Sequence, residues 1–346
     1  MPELRLPERN KKPGLSYAVT DDGLELPVVD VSHPAFALEI DAEKQQRLIE
    51  RFMTEQRRFG KLPKWISVPL TRFVLRGSRL AKGLRGADGT FLDGITTYLF
   101  KLGPNNLGSY ALPIDKRLVA SLPAISMRLR LVDVARLLSN GLAARLAAEP
   151  SRPLHLLNIA GGPAVDSANA LILLRREHPE LLAGRDVKVR VLDGDEHGPA
   201  FGARALAALQ QPGAPLAGLN ASFERVHYDW SNVKSGLESV LQDAAREQAV
   251  VAVSSEGGLF EYGSDQDILQ NLQALATSPS RGLFVVGSVT RDDELMKFVK
   301  QTSRAATRPR GLAVFKALVT PTGFRITREI ERPMSDQVVL ELAEPS

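Results

Sequence analysis

The chain of 346 residues contains no cysteine, which excludes disulfide bonds, thiolate nucleophiles and cysteine-ligated zinc or iron–sulfur centres. No apolar run approaches the roughly 18 residues that a membrane-spanning helix needs, so we expect no such helix. Histidine is scarce: the five residues form no His-x-x-x-His pair, and we expect no metal site. The N-terminus lacks the apolar segment of a secretory signal, which favours a cytoplasmic protein.

Neither sign of charge is in large excess. The 44 Lys and Arg residues against 40 Asp and Glu residues give a formal net charge of +4, which does not indicate a polyanion-binding protein. The content of 44% apolar and 24% charged residues is typical of globular proteins and excludes a wholly disordered chain. A cytoplasmic enzyme is therefore the default class, and a homodimer stays open.

One basic segment departs from this balance. Residues 57–85 hold nine basic residues and no acidic one. Arg72, Arg76 and Arg79 share one helical face, which would suit a phosphate-rich partner or a membrane surface. The few aromatic residues of this segment form no platform for base stacking. We favour the alternative, a solvated face balanced by acids elsewhere, and predict neither nucleic acid nor membrane as a partner.

The sequence pattern changes near residue 150. Residues 1–40 carry five prolines and scattered charges, and we expect a loosely packed arm there. Residues 125–148 are rich in Leu, Ala and Arg and predict a long helix. We divide the chain into an N-terminal arm and mainly helical lid, residues 1–122, and a larger domain, residues 123–346.

From Pro153 onward, β-like runs alternate with helical segments, which favours a parallel sheet covered on both faces. The predicted strands are residues 154–160, 187–192, 223–228, 249–254 and 283–288, and the predicted helices are residues 165–177, 200–210, 232–245 and 265–276. Two last strands, residues 324–331 and 337–342, are separated by five residues. No crossover helix fits between them, so we expect antiparallel neighbours.

Small and polar residues follow the first two of these strands, where open α/β sheets bind ligands. The first strand runs into a turn of Ala160, Gly161, Gly162 and Pro163, which lets a ligand approach the backbone closely. The second strand ends in Asp193, Gly194 and Asp195. A carboxylate at this tip can accept hydrogen bonds from both hydroxyls of a ribose. The alternative for Asp195 is a helix cap, with Asp193 as the binding residue.

The third and fourth strands are also followed by polar residues. The third ends at Tyr228 and is followed by Asp229 and Trp230, where the carboxylate could accept from an adenine amino group and an aromatic neighbour could pack on the base. The alternative for Asp229 is a surface turn. After the fourth strand, Ser254, Ser255 and Glu256 leave the sheet where the cleft of such a fold lies. The joint placement of these segments predicts a nucleotide site.

In this order and spacing, the segments resemble the class I S-adenosylmethionine (SAM)-dependent methyltransferases. The first strand of that family is roughly hh(D/E)hGxGxG, and residues 156–164 here are Leu-Leu-Asn-Ile-Ala-Gly-Gly-Pro-Ala. The resemblance covers about residues 148–342. It implies a Rossmann-like α/β fold with a seven-stranded, mostly parallel sheet, an N-terminal helical lid, SAM as cosubstrate and methyl transfer to a small metabolite. The residues that it places around SAM are Asn158, Ala160, Gly161, Gly162, Pro163, Asp193, Gly194, Asp195, Tyr228, Asp229, Trp230, Ser254 and Ser255.

The sequence departs from the family pattern at Asn158, which stands where the family has an acid, and at two alanines that replace glycines. A carboxylate near the methionine amine of SAM would favour the protonated amine, and an amide would not. Because a neutral amine is a nucleophile, an alternative is the azetidine-2-carboxylate synthase branch, in which SAM cyclises and releases methylthioadenosine. Ser254 and Ser255 would then help to orient the amine. Simple drift at residue 158 is the other explanation.

The residues that would perform the chemistry are less distinct. Glu256 and Tyr110 are candidate general bases, and Tyr98 and Tyr110 are lid aromatics that could face the sulfonium by cation–π attraction. Packing is the alternative role for both tyrosines. Two further alternatives are a SAM-binding module without catalysis and a nicotinamide-dependent oxidoreductase. The antiparallel last strand argues against the oxidoreductase.

Overall fold

The computed structural model describes residues 5–60, 76–86, 92–280, 282–302 and 305–343. Most of the basic segment, including Arg72, lies outside these residues, so its predicted helical face is not among the features described. Within the described ranges, no helix is long and apolar enough to cross a membrane.

The described residues form nine strands and twelve α-helices. The strands are β1 Tyr17–Val19, β2 Glu25–Pro27, β3 Leu154–Ile159, β4 Val187–Leu192, β5 Ala221–Val226, β6 Val250–Ser255, β7 Phe284–Thr290, β8 Phe324–Glu331 and β9 Ser335–Leu342. The helices are α1 Ala42–Gly60, α2 Arg79–Gly86, α3 Gly94–Leu102, α4 Pro113–Val119, α5 Leu122–Ala148, α6 Val165–Glu177, α7 His197–Leu209, α8 Leu237–Arg246, α9 Leu259–Tyr262, α10 Asp265–Ala276, α11 Glu294–Thr302 and α12 Gly311–Val319.

Strands β3 to β9 form one sheet in the order β5-β4-β3-β6-β7-β9-β8. The central strand β3 is parallel to β4 and β6, and β9 lies antiparallel between β7 and β8. Every residue of β3 and β6 is buried, as expected for strands covered on both faces. This topology confirms the predicted class I methyltransferase fold. Because the strand order reverses at β3, a crevice opens beyond the carboxyl ends of β3 and β6.

The predicted strand bounds agree with the structure to within about two residues. The largest shift is at β5, which ends at Val226, so Tyr228 and Asp229 lie in the following loop. The helix predicted over residues 232–245 is divided into a short 3-10 turn, Val233–Ser235, and helix α8. Gly236 separates the two with a φ of −178°, which is an extended conformation that no helix contains.

The expectation of a loosely packed N-terminal arm is wrong. Strands β1 and β2 form an antiparallel hairpin, and the arm buries five large apolar side chains: Leu24, Leu26, Val28, Val29 and Phe36. The side chain of Asn169 on α6 donates to the Val29 carbonyl oxygen at 2.9 Å and accepts from the Val31 amide at 2.8 Å. These buried apolar side chains and the two hydrogen bonds of Asn169 therefore hold the arm against the sheet domain despite its prolines.

Helix α3 belongs to the predicted lid and lies over the carboxyl ends of the central strands. The Asp93 side chain caps it by accepting from the Thr96 amide at 2.7 Å. Residues of α3 line the cavity beneath it. The predicted boundary at residue 122 coincides with the start of α5, but one hydrophobic core contains side chains from both sides of it, such as Leu26, Tyr98 and Leu156. The division into two domains stays a prediction.

Candidate functional site

A cavity of about 420 Å³ lies under helix α3 at the carboxyl ends of β3, β4, β5 and β6. This volume suits one ligand of nucleoside size. Eleven of the sixteen predicted site residues line it: Ala160, Gly161, Gly162, Pro163, Asp193, Gly194, Asp195, Tyr228, Asp229, Trp230 and Glu256. The other five are not among its lining residues: Tyr98, Tyr110, Asn158, Ser254 and Ser255.

The turn after β3 keeps a left-handed backbone at three alternate positions. Ala160, Gly162 and Ala164 have φ angles of 55°, 55° and 51°. These are the three positions at which the resembled family has glycine. A left-handed conformation costs an alanine about 1–2 kcal/mol, so this turn geometry is maintained against local strain. It turns the Gly162 amide toward the tip of β4.

Asp193 at the tip of β4 is held in a fixed orientation. Its Oδ2 accepts from the Gly162 amide and its Oδ1 from the Asp195 amide, both at 2.9 Å. Each oxygen keeps a second lone pair for a ligand in the cavity. Burial raises the pKa of Asp193, and the two backbone donors oppose that rise by favouring the carboxylate.

Asp195 joins the lid to the sheet domain. Its Oδ2 accepts from the amides of Gly94 and Gly198, both at 3.1 Å, and its Oδ1 accepts from the His197 amide at 3.1 Å. Asp195 therefore caps the start of α7, the alternative that the sequence offered. A Cβ atom on Gly94 would lie 2.9 Å from both Asp195 Oδ2 and Gly198 Cα. Only glycine fits at residue 94 without displacing its neighbours.

The loop after β5 forms one end of the cavity. Asn271 on α10 fixes it by accepting from the Tyr228 hydroxyl at 2.5 Å and donating to the Trp230 carbonyl oxygen at 2.8 Å. Asp229 is exposed, and its Oδ1 accepts from the backbone amide and the hydroxyl of Ser231. The amide, followed by the hydroxyl, lowers the pKa of Asp229. The carboxylate of Asp229 therefore stays ionised, and its Oδ2 atom takes part in neither of these two hydrogen bonds.

Asn158, Ser254 and Ser255 lie beneath the turn, contrary to the expectation that they face a ligand amine. Asn158 is fully buried, and its Nδ2 donates to Asp166 Oδ1 at 2.7 Å and to Ser254 Oγ at 3.0 Å. Ser255 Oγ accepts from the Leu259 amide at 2.9 Å and so caps α9. These side chains support the turn from behind.

The two lid tyrosines have structural positions. The Tyr98 hydroxyl donates to the Pro27 carbonyl oxygen at 2.7 Å and accepts from the Val29 amide at 3.0 Å, and its ring packs edge-on against Phe201. Tyr110 is half-buried against the hydrophobic core. The proposal that either faces a sulfonium in the cavity is therefore not supported, and packing is the role observed. Tyr228, Trp230 and Tyr262 are large aromatic residues that line the cavity.

Glu256 lines the cavity but is ion-paired, which argues against a general base. It accepts from Lys101 Nζ through Oε2 and from Arg130 Nε at 2.5 Å through Oε1. Burial alone would raise the pKa of Glu256, but the charges of Lys101 and Arg130 lower it. A carboxylate stabilised in this way takes a proton poorly.

Sequence reasoning missed the cavity wall formed by α3, α5 and α9. Its lining residues include Thr97, Lys101, Met127, Arg130, Glu261 and Tyr262. A signal was present: Lys101 is the one charged residue in the helical segment Gly94–Leu102, and such a residue is rarely buried without a partner. The partner, however, lies 155 residues away in sequence, and spacing does not reveal it.

No family model matches the sequence, and no curated protein is similar to it. Among solved structures, the chain is similar to LepI in complex with SAM, with 16% identity, a TM-score of 0.38 and coverage of 60% of this chain and 46% of LepI. It is similar to the mitomycin 7-O-methyltransferase MmcR, with 14% identity, a TM-score of 0.40 and coverage of 83% and 70%. It is also similar to a possible exported protein from Bordetella parapertussis, with 14% identity, a TM-score of 0.46 and coverage of 87% and 98%.

The chain thus aligns with less than half of LepI. At these identities and TM-scores the likenesses do not carry the assignment of a function. The strand order of the sheet and the residues that line the cavity are the features from which a function can be inferred.

Proposed function

We propose that this protein is a SAM-dependent enzyme that transfers a methyl group to a small metabolite. The observation that carries the proposal is Asp193: a buried carboxylate at the tip of β4, oriented by two backbone amides and open to a cavity at the topological switch point. That is the position from which a carboxylate accepts both hydroxyls of a ribose.

In this proposal the nucleoside half of SAM lies on the side of β4 and β5. Asp193 accepts from the ribose, Asp229 accepts from the adenine amino group, and Trp230 packs beside the base. The backbone of Ala160, Gly161 and Gly162 passes close to the middle of the ligand. Methyl transfer by in-line displacement then depends mainly on positioning two reactants under the lid.

SAM cyclisation to azetidine-2-carboxylate is a second candidate function, in which the same cavity binds SAM but yields a different product. Cyclisation was suggested because an amide at residue 158, if it lay near the ligand amine, would permit that amine to be neutral. The Asn158 side chain bonds to Asp166 and Ser254 beneath the turn, so nothing in the geometry favours cyclisation over methyl transfer.

Calorimetric titration with SAM tests the ligand. We expect the wild-type chain to bind, and Asp193→Ala to lose about 1.5–3 kcal/mol of binding free energy, because it removes a charged acceptor of two hydrogen bonds. Asp186→Ala is the matched control, since Asp186 is exposed and directly precedes β4, at the opposite end of that strand. Equal affinity of the Asp193 variant and the wild type would remove the basis of the proposal.

Mass spectrometry of a reaction with SAM and a panel of metabolites tests the chemistry. S-adenosylhomocysteine together with a methylated metabolite supports methyl transfer. Methylthioadenosine without an acceptor would show cyclisation. Tight binding with neither product would show a SAM-binding module without catalysis.

A further inference from the structure

Four charged side chains form a buried cluster at the end of the cavity remote from Asp193. This charge quartet consists of Lys101 on α3, Arg130 on α5, Glu256 after β6 and Glu261 on α9, and each is at most 7% exposed. Arg130 bridges the two acids, with Nε 2.5 Å from Glu256 Oε1 and Nη1 2.7 Å from Glu261 Oε1. Lys101 contacts the other oxygen of Glu256. Bringing four charges out of water is costly, and such clusters are found at functional sites.

All four members of the charge quartet line the cavity, so the cluster has a face toward a ligand. Within the part of the chain that the structure describes, Lys101 Nζ bonds one acceptor and so keeps two N–H donors. In the same described part of the chain, Arg130 Nη2 makes no hydrogen bond. Arg130 and Ser288 both donate to Glu261 Oε1, and neither donates to Oε2. The charge quartet therefore offers a ligand N–H donors on Lys101 and Arg130 and an acceptor at Glu261 Oε2.

The formal charges of the charge quartet sum to zero, with two cations and two anions. A ligand carrying a single charge would leave that charge uncompensated in a buried site. A zwitterion would not, because its carboxylate can accept from Lys101 and Arg130 while its ammonium donates to Glu261. The balance of charge thus favours a group that carries both signs within a few bonds.

The order of the strands separates the charge quartet from Asp193 by a distance that one elongated ligand can span. Asp193 follows β4 and Glu256 follows β6, with β3 and its turn between them. Two strand spacings separate the two positions by about 10 Å. An elongated ligand can therefore cross the turn and contact both ends of the cavity.

We infer that the charge quartet binds the α-ammonium and α-carboxylate of an amino acid. The inference rests on the proposed function, because it takes the nucleoside half of the ligand to lie at Asp193. Two sources can supply this chemistry: the methionine end of SAM itself, or a free amino acid bound beside the nucleoside as methyl acceptor.

Ligand comparison on the wild-type chain separates these sources without any variant. S-adenosylhomocysteine and 5′-methylthioadenosine share the adenosine and the sulfur, but only the first has the amino-acid group. If that group is the methionine end, S-adenosylhomocysteine binds roughly 10-fold to 100-fold more tightly, as expected for buried charged hydrogen bonds. If a free amino acid is the ligand, the two nucleosides bind equally, and the chain saturated with S-adenosylhomocysteine binds one of the twenty common amino acids.

The variant Lys101→Met ties the preference to the charge quartet. It removes the ammonium while keeping an unbranched side chain, so we expect the preference for the amino-acid group to disappear and the affinity for methylthioadenosine to stay unchanged. Lys116→Met is the matched control, because Lys116 is an exposed lysine on lid helix α4. Thermal unfolding of each variant shows whether its fold is retained. If Lys101→Met does not fold, the comparison of the two nucleosides on the wild-type chain decides whether an amino-acid group is bound.

The outcomes distinguish this inference from the proposed function. Equal binding of both nucleosides, with no amino acid bound afterwards, overturns the inference and leaves SAM binding intact. Retention of the full preference in Lys101→Met overturns it as well. Failure of the wild-type chain to bind either nucleoside overturns the proposed function, and the inference with it.

Discussion

Ala160 and Ala164 hold the same left-handed backbone but differ in their surroundings. Ala160 is half-buried, whereas Ala164 is 1% exposed and belongs to the hydrophobic core. Glycine relieves the backbone strain at either position, at some cost in the entropy of the unfolded chain. At residue 164 it also removes a buried methyl group, which costs about 0.8 kcal/mol.

We therefore expect Ala160→Gly to raise the free energy of unfolding by about 0.5–1 kcal/mol, and Ala164→Gly to change it less. Urea denaturation of the two variants beside the wild type measures both values. A larger gain at residue 164 would mean that packing around its methyl group is itself unfavourable.

The raised pKa of Asp193 gives ligand binding a pH dependence. Burial is the main cause of the rise, so protonation begins at a higher pH than for an exposed aspartate. The protonated group loses a charged acceptor for the ribose. We expect affinity for S-adenosylhomocysteine to fall as the pH drops through this raised pKa, and Asp193→Asn to bind weakly with a flatter profile. Titrations from about pH 8 down to about pH 4, the ordinary range of an aspartate, measure it, and the same dependence of affinity on pH in both chains would contradict the assignment.

Helix α3 is fixed to the turn after β3 by the close approach of three glycines, Gly94, Gly162 and Gly198. A Cβ atom on Gly94 would lie 3.2 Å from Gly162 Cα and 2.9 Å from Gly198 Cα, so Gly94→Ala must shift the start of the helix. Because α3 covers the cavity, we expect this variant to bind S-adenosylhomocysteine about 10-fold more weakly and to be cleaved faster by protease in the lid.

Gly86→Ala is the control for that change. Gly86 ends lid helix α2, and an added Cβ atom there meets none of the described residues within 4 Å. We expect it to bind and to resist protease like the wild type. If Gly94→Ala behaves in the same way, the lid does not depend on this contact.

The sequence was sufficient to predict the sheet domain because its signals are local. β3 is rich in Leu and Ile and is followed by small residues, and α10 begins at a capping box formed by Ser264 and Asp267. The position of Asp193 in the cavity was predicted for the same reason, since it follows from the place of this residue at the end of one strand. Such features need no knowledge of distant contacts.

The N-terminal part could not be predicted in this way. Strands β1 and β2 have three residues each, too few for a recognisable alternation, and they are stabilised by contacts such as those of Asn169 with Val29 and Val31. Tyr98 was assigned to the cavity from its place in the lid, but its hydroxyl satisfies two backbone groups of the arm. The charge quartet likewise depends on pairs far apart in sequence, which a single sequence does not display.

The N-terminal part and the sheet domain share one hydrophobic core. Val28 and Phe100 from the first part belong to the same buried cluster as Leu138 of α5 and Leu171 of α6. Domains that fold independently have separate cores, so this arrangement predicts one cooperative unit in place of the two domains suggested by composition.

We therefore expect the full chain to unfold in a single transition. Far-ultraviolet circular dichroism follows all the helices, and tryptophan fluorescence of Trp65→Phe follows Trp230 in the sheet domain alone. The two probes should give the same midpoint in urea, because loss of the N-terminal part would expose the core side of α5 and α6 to water. A chain of residues 122–346 should then bind a hydrophobic dye and aggregate. Separate midpoints, with a folded truncated chain, would instead establish a lid that folds on its own over an independent sheet domain.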